Sequence, residues 1–214
     1  MASNQSEVSI CNLALSHIGE TTITALSDDT NQARECNRLY AVTRDIELRA
    51  HNWNFAMKRT SLSEDGDEPT WGYDHRYVLP TDCLRLVKVG YTANDWQGSG
   101  QGNWRVEGDN LADSGRVYLV INLAGPVYIL YVARITDVAV FDMLFINALA
   151  ARLAMDLAPR LTQSNAIVQQ MQQSYEYWIG QARSMDAFES SARPRRISPW
   201  ITSRSNGLRN EWIE

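Results

Sequence analysis

The sequence predicts an α+β fold: a mainly helical bundle of four helices with an inserted small antiparallel β module and an extended C-terminal tail. Near both ends of the chain, apolar residues recur at alternating steps of three and four, the period of an amphipathic helix. The middle of the chain changes to the alternation typical of strands. Pro194 and Pro199 then prevent a regular helix near the C-terminus. The expected organisation is a bundle at 1–57 plus 137–191, a β-rich insertion at 58–136 and a tail at 192–214.

The first two helices are predicted from end signals and apolar stripes. Helix 1 is expected from Glu7 to Ile18, capped by Asn4 or Ser6 and stopped at Gly19. Helix 2 is expected after the acidic entry Ser27-Asp28-Asp29, which suits the positive end of a helix. The stripe expected to be buried on helix 2 is Cys36, Leu39, Thr43, Ile46, Ala50 and Trp53.

The last two helices differ in their predicted burial. Helix 3 is expected from near Asp137 to a point before Pro159, and it is apolar nearly all round, which indicates a central position. Helix 4 is expected from near Ser164 to about Ser191, with a Gln-rich outer face. Its expected packing stripe is Val168, Met171, Tyr175, Trp178, Ala182 and Met185.

Short strands are predicted between helices 2 and 3, where β-branched residues alternate and turn residues separate the runs. The strongest of these strands are Val117–Asn122 and Val127–Arg134, separated by Leu123-Ala124-Gly125-Pro126. The others are Tyr77–Leu79, Leu84–Tyr91 and Trp104–Glu107.

The charge of the chain is unevenly distributed. The net charge is −5, yet residues 192–214 contain five arginines and two glutamates, a net +3 that leaves −8 on the remainder. An acidic body is a poor nucleic-acid binder, because phosphates are neutralised by basic clusters. The N-terminus lacks a secretory signal and no apolar run is long enough for a membrane span, so we expect a protein made in a cytoplasm. Three widely spaced cysteines indicate reduced thiols.

Catalytic and metal-binding patterns are weak. His17, His51 and His75 lie in different predicted elements without metal-ligand spacing, and no nucleophile motif occurs. No cofactor is therefore expected, and the favoured interpretation is that the chain is not an enzyme. One enzymatic alternative remains open, a glycan hydrolase whose β-module carboxylates flank a glycosidic bond. Its candidate residues are Asp65, Asp67, Glu68, Asp109 and Asp113, with Trp71, Trp96 and Trp104 to stack on sugars.

Several motifs occur in a fixed order over about residues 8–190. The first is Ile10-Cys11-Asn12-Leu13-Ala14-Leu15-Ser16-His17-Ile18-Gly19, followed by Trp53-Asn54-Phe55-Ala56, Leu79-Pro80-Thr81-Asp82-Cys83-Leu84-Arg85 and Trp104-Arg105-Val106-Glu107-Gly108. The last are Phe141-Asp142, Ala148-Leu149-Ala150-Ala151-Arg152-Leu153-Ala154 and Leu161-Thr162-Gln163-Ser164. Together these motifs resemble the podophage tail tubular protein A family, the head-to-tail adaptors, and the chain departs from the family pattern around Arg116 to Arg134. In the context of this resemblance, the glycan hydrolase alternative is a virion-associated glycan hydrolase.

The resemblance implies a structural virion protein in the tail or neck, assembled in the host cytoplasm. Such a protein forms a ring, in twelve copies, between the portal protein and the tail nozzle (tail tubular B-like) protein, and the DNA passes through its channel without specific binding. No catalytic residues are implied. Because the chain is acidic and lacks a long exposed apolar run, we expect a monomer or weak oligomer in isolation and a ring only on the portal. A helical scaffold with no phage context is the remaining alternative.

The C-terminal tail is the predicted portal-docking segment, with a frayed terminus that has no role and self-association in the ring as the alternatives. Arginine guanidinium groups offer paired donors to acidic residues, and tryptophans are common anchors of protein interfaces. A tail with no partner has little reason to carry large apolar side chains into water. The residues assigned to docking are Arg193, Arg195, Arg196, Trp200, Ile201, Trp212 and Ile213.

Overall fold

A computed structural model describes residues 5–69, 71–90, 103–108 and 116–190. Within these residues it contains four α-helices and two three-stranded antiparallel sheets, so the predicted α+β fold is confirmed. The helices are α1 (Glu7–His17), α2 (Asn31–Ala50), α3 (Met143–Leu161) and α4 (Asn165–Glu189). The strands are β1 (Met57–Leu62), β2 (His75–Val78), β3 (Cys83–Gly90), β4 (Trp104–Gly108), β5 (Val117–Ile121) and β6 (Val127–Ala133).

The ends of α1 follow the predicted signals. Ser6 is the N-cap, and its hydroxyl accepts a hydrogen bond from the Ser9 amide at 3.2 Å while the Ser9 hydroxyl accepts one from the Ser6 amide at 2.9 Å. After the helix, Gly19 adopts a φ of +78°, a left-handed conformation that glycine adopts without steric cost.

The predicted face of α2 is partly wrong. Cys36 and Thr43 are buried, but Ile46 is 48% exposed and Ala50 is also exposed. The buried face instead consists of Ala33, Cys36, Tyr40, Thr43, Arg44, Glu47 and Leu48. Two charged residues can occupy it because each has partners of opposite charge in neighbouring elements or on the same helix.

Helix α3 is the centre of the bundle and packs against the other three helices. Its start and end differ from the prediction. Asp137 caps only a short 3₁₀ turn, and Asp142 is the N-cap of α3 itself. The helix also continues through Pro159 to Leu161. Pro159 has no amide hydrogen to donate to the preceding turn, and the helix ends only two residues after it.

The six strands are divided between two sheets, with the orders β1-β6-β3 and β2-β5-β4. The adjacent strands β5 and β6 therefore belong to different sheets. The turn between them passes through Gly125 at a φ of +88°. The Tyr77 hydroxyl donates towards the carbonyl oxygens of Leu123 at 2.6 Å and Gly125 at 2.9 Å, which connects this turn to β2. Strand β1 was not predicted, since its residues Met57-Lys58-Arg59-Thr60-Ser61-Leu62 show no apolar alternation.

One continuous set of buried apolar residues joins the helices to both sheets. Trp53 lies at the centre of its aromatic part, with its ring centroid 5.0 Å from that of Phe145. Its indole nitrogen donates to the Glu47 carbonyl oxygen at 2.9 Å, so the segment that leaves α2 is fixed against the bundle.

Candidate functional site

The predicted portal-docking residues Arg193, Arg195, Arg196, Trp200, Ile201, Trp212 and Ile213 lie outside the described residues. In the described part of the chain, the features that could form a functional site are clefts, exposed apolar surfaces and charged clusters.

The carboxylates of the glycan hydrolase alternative are engaged by an arginine. The Arg76 guanidinium donates to Asp65 Oδ2 and to Asp67 Oδ2, each at 2.8 Å. It also lies over the Tyr118 ring, 4.6 Å from the centroid. Asp65 and Asp67 therefore share one guanidinium in a salt-bridged turn, and this arrangement favours a structural role. Asp109 and Asp113 lie outside the described residues, as does Trp96.

The aromatic side chains proposed for sugar stacking do not share one environment. Trp71 is 86% exposed, whereas Trp104 is half-buried against the core. The described tryptophans of the β module therefore do not form a shared buried platform for a sugar.

The three histidines are separate from one another. His51 Nε2 lies 3.2 Å from Asp186 Oδ2, and His75 Nδ1 contacts Glu64. His17 Nε2 is buried and has no hydrogen-bond partner among the described residues, and burial lowers the pKa of its imidazole. Among the described residues, no group of histidine, cysteine, aspartate and glutamate side chains has the arrangement of a metal site.

Two of the exposed apolar surfaces in the described part of the chain could bind another protein segment. The first, here called the α2 patch, consists of Val42 at 58% exposure and Ile46 at 48%, beside half-buried Leu39. These residues follow one another at steps of three and four, so they lie on one face of the helix. The sequence pattern did identify Leu39 and Ile46 as part of an apolar stripe, but it placed that stripe in the core.

The second surface, here called the acidic cleft, has a volume of about 290 Å³ and lies where α3 begins and α4 ends. Its apolar lining includes Trp53, Phe55, Phe141, Met143 and Met185. Met143 is 54% exposed and Met185 is 48% exposed, so the mouth of the cleft is open and apolar. The sequence pattern placed Met185 in the packing stripe of α4, and this part of the prediction is wrong.

The cleft is acidic because Asp142, Asp186 and Glu189 line it, and its lining from the described part of the chain includes no lysine or arginine. Asp186 is held in place, since its Oδ1 accepts from the Asn54 amide at 2.8 Å and its Oδ2 faces His51. Asp142 Oδ2 caps α3 by accepting from the amide of Leu144 at 2.8 Å. Within the described part of the chain, neither Asp142 nor Glu189 forms an ion pair. The cleft therefore combines aromatic side chains with the negative charge of Asp142 and Glu189, which have no ion-pair partner among the described residues.

A third feature is a charged cluster inside the bundle, centred on Glu47 at 2% exposure. The Tyr175 hydroxyl lies 3.0 Å from both Glu47 carboxylate oxygens, and Arg152 Nη1 lies 3.5 Å from Oε1. Burial raises the pKa of Glu47, and the hydrogen bond from Tyr175 and the charge of Arg152 oppose that shift. A second nitrogen of Arg152, Nε, donates to Asp156 Oδ2 at 3.3 Å.

This cluster connects three helices rather than opening onto a cavity. Glu47 belongs to α2, Arg152 to α3 and Tyr175 to α4, and burial also raises the pKa of the Tyr175 hydroxyl, which therefore keeps its proton and donates it. A satisfied network of this kind fixes the relative positions of helices. The spacing of residues in the sequence did not indicate this cluster.

In comparisons with known proteins, no family model and no curated protein matches this chain. No helix in the described residues has the length and apolar character needed to cross a lipid bilayer.

Proposed function

We propose that the chain is a structural virion protein, a head-to-tail adaptor that forms a ring under the portal and extends the DNA channel to the tail nozzle. The observation that carries the proposal is the presence of two exposed apolar surfaces, the α2 patch and the acidic cleft, that share no residue. A ring is built from heterologous contacts, in which one surface of a subunit meets a different surface of the next. The resemblance of residues 8–190 to adaptor proteins supports the same function.

The charge of the chain supports a passive role towards DNA. The body carries −8 when the tail is set aside, and phosphate binding requires clustered positive charge. A negative wall repels the phosphate backbone, so DNA can move past it without being arrested. The basic tail is then available for an acidic surface of the portal, with its tryptophans and isoleucines as apolar anchors.

The function is tested by mixing the purified protein with portal rings of the same phage and imaging the mixture by electron microscopy. We expect a second ring on the portal, in twelve copies. Portal rings that remain bare under conditions where the chain is folded would refute the proposal.

The α2 patch is tested in the same assay with Val42→Asp. A charge placed in a buried apolar contact removes a central anchor, so we expect ring formation to weaken by about 30-fold or more. Asn37→Asp is the matched control, because it adds the same charge at an exposed position of the same helix. If both variants assemble as the native chain does, the α2 patch is not part of the ring interface.

The docking tail is tested with the double variant Trp200→Ser and Trp212→Ser. Loss of both anchors is expected to abolish portal binding while the helical circular dichroism signal is retained. The control is Trp71→Ser, which removes an exposed tryptophan outside the tail. Portal binding that is unchanged in the double variant would exclude these tryptophans as the anchors.

A further inference from the structure

The acidic cleft has the properties of a site for a short basic and apolar peptide. Its volume of about 290 Å³ is at the lower end of the range of ligand pockets, roughly 300–1,000 Å³, so it suits one or two bulky side chains. Its floor is aromatic, with Phe55 and Phe141 each within 6 Å of a neighbouring ring centroid. Its three carboxylates have no lysine or arginine beside them in the lining.

We propose that the acidic cleft binds residues 193–201 of the same chain before assembly. This segment reads Arg-Pro-Arg-Arg-Ile-Ser-Pro-Trp-Ile. Its three arginines are opposite in charge to the carboxylates of the cleft, of which Glu189 is the one without a hydrogen bond or ion pair among the described residues, and guanidinium groups form paired hydrogen bonds with carboxylates. Trp200 and Ile201 supply the apolar side chains that the floor and the methionine-lined mouth can cover.

The connection along the chain favours the chain's own segment over that of another copy. Glu189, the last residue of α4, itself lines the cleft, and only residues 190–192 separate it from Arg193. Such a short link gives the tethered segment an effective concentration on the order of millimolar. The nine residues reach at most about 30 Å, which is enough to return along the end of the bundle. Pro194 and Pro199 reduce the entropy that the segment loses when it becomes ordered.

This contact goes beyond the proposed function, because it concerns the isolated chain and requires no portal. In the free protein the cleft is expected to hold residues 193–201. Trp200 and Ile201 are then covered until a competing surface displaces them. Failure of the test below leaves the adaptor proposal unaffected, and failure of portal binding leaves this contact unaffected.

Disulfide trapping in the full-length chain tests the contact. Met143→Cys places a thiol at the mouth of the cleft, and Ser198→Cys places one beside Trp200 without removing it. Asn37→Cys with Ser198→Cys is the control pair, since Asn37 is exposed and lies about 20 Å along α2 from the C-terminal end of that helix at Ala50. Both pairs are made with Cys83→Ser, while native Cys11 and Cys36 are fully buried. Glutathione disulfide is the oxidant, and it is reduced to two glutathione molecules as the protein disulfide forms.

The expected result is an intramolecular disulfide that forms at least about tenfold faster in the cleft pair than in the control pair. Replacing Arg193, Arg195 and Arg196 with glutamine, or adding 1 M salt, is expected to remove most of this advantage. Equal rates in the two pairs would overturn the proposal. A product that is mainly a disulfide-linked dimer would also overturn it, because the occupant would then be a second copy. Non-reducing electrophoresis and peptide mass mapping distinguish these outcomes.

Discussion

Replacing Tyr175 with phenylalanine tests the charged cluster that connects three helices. The substitution removes only the hydroxyl that lies 3.0 Å from both Glu47 carboxylate oxygens, and it leaves the ring to pack as before. A hydrogen bond to a buried charged group contributes about 1.5–3 kcal/mol, and Glu47 is 2% exposed, so water cannot replace the lost donor. We therefore expect the free energy of unfolding at pH 7 to fall by about 1.5–3 kcal/mol.

Urea unfolding followed by circular dichroism measures this loss. With a slope of about 2–3 kcal/mol per molar urea, the midpoint is expected to fall by about 0.5–1.5 M. Tyr177→Phe is the matched control, since Tyr177 lies on the same helix, is 59% exposed and lacks the contact with Glu47. If Tyr175→Phe lowers the free energy of unfolding no more than Tyr177→Phe does, the Tyr175 hydroxyl does not stabilise the cluster.

The same variant has an expected pH dependence. Burial raises the pKa of Glu47 in the folded protein, so the folded state retains a proton that the unfolded chain releases. The stability contributed by Glu47 is therefore fully present below the ordinary glutamate pKa and is lost as the pH rises through the raised value. Tyr175 stabilises the ionised form, so its removal raises that pKa further. The difference in free energy of unfolding between the native protein and Tyr175→Phe is thus expected to grow with rising pH. An equal difference at pH 4 and pH 7 would contradict this cause.

Two further substitutions test the packing of the fold. Trp53→Ala is expected to lower the free energy of unfolding by about 3–5 kcal/mol, because Trp53 is 1% exposed and its removal leaves a cavity; a loss below 1 kcal/mol in thermal unfolding would argue against a central role. Gly125→Ala is expected to lower the free energy of unfolding by about 1–2 kcal/mol, because a φ of +88° strains any residue with a Cβ. An added Cβ meets no atom within 4 Å, so the whole effect is due to the backbone and not to a clash. Gly66→Ala, at a position without a left-handed conformation, is its control, and an equal effect of the two alanines would contradict the strain argument.

The types of most elements could be predicted from the sequence, because helix and strand periods are local properties of the chain. The N-cap at Ser6, the stop at Gly19 and the strands around residues 117–134 needed only neighbouring residues to be recognised. Strand β1 escaped prediction because its place in the sheet depends on pairing with β6, with Met57 opposite Val132, rather than on an apolar pattern of its own.

The face of α2 that is buried was decided by tertiary structure. The apolar spacing correctly favoured Leu39, which packs against the core, and wrongly favoured Ile46, which is exposed. The core accepts Glu47 because Tyr175, 128 residues later in the chain, supplies its hydrogen bond. A single sequence does not indicate such a partner, since the cost of burying a charge depends on groups that folding brings to it.

The acidic cleft was likewise decided by tertiary structure. Its walls come from three distant segments, near Trp53, Phe141 and Asp186, and each segment alone has the pattern of ordinary helix ends and turns. The basic and apolar composition of residues 193–201 is a property of the sequence alone. The concave surface of opposite charge and apolar lining forms only when the distant segments of the fold pack together. Local patterns determine which elements form, but a site made of distant residues exists only after those elements pack, because its shape and charge belong to no single segment.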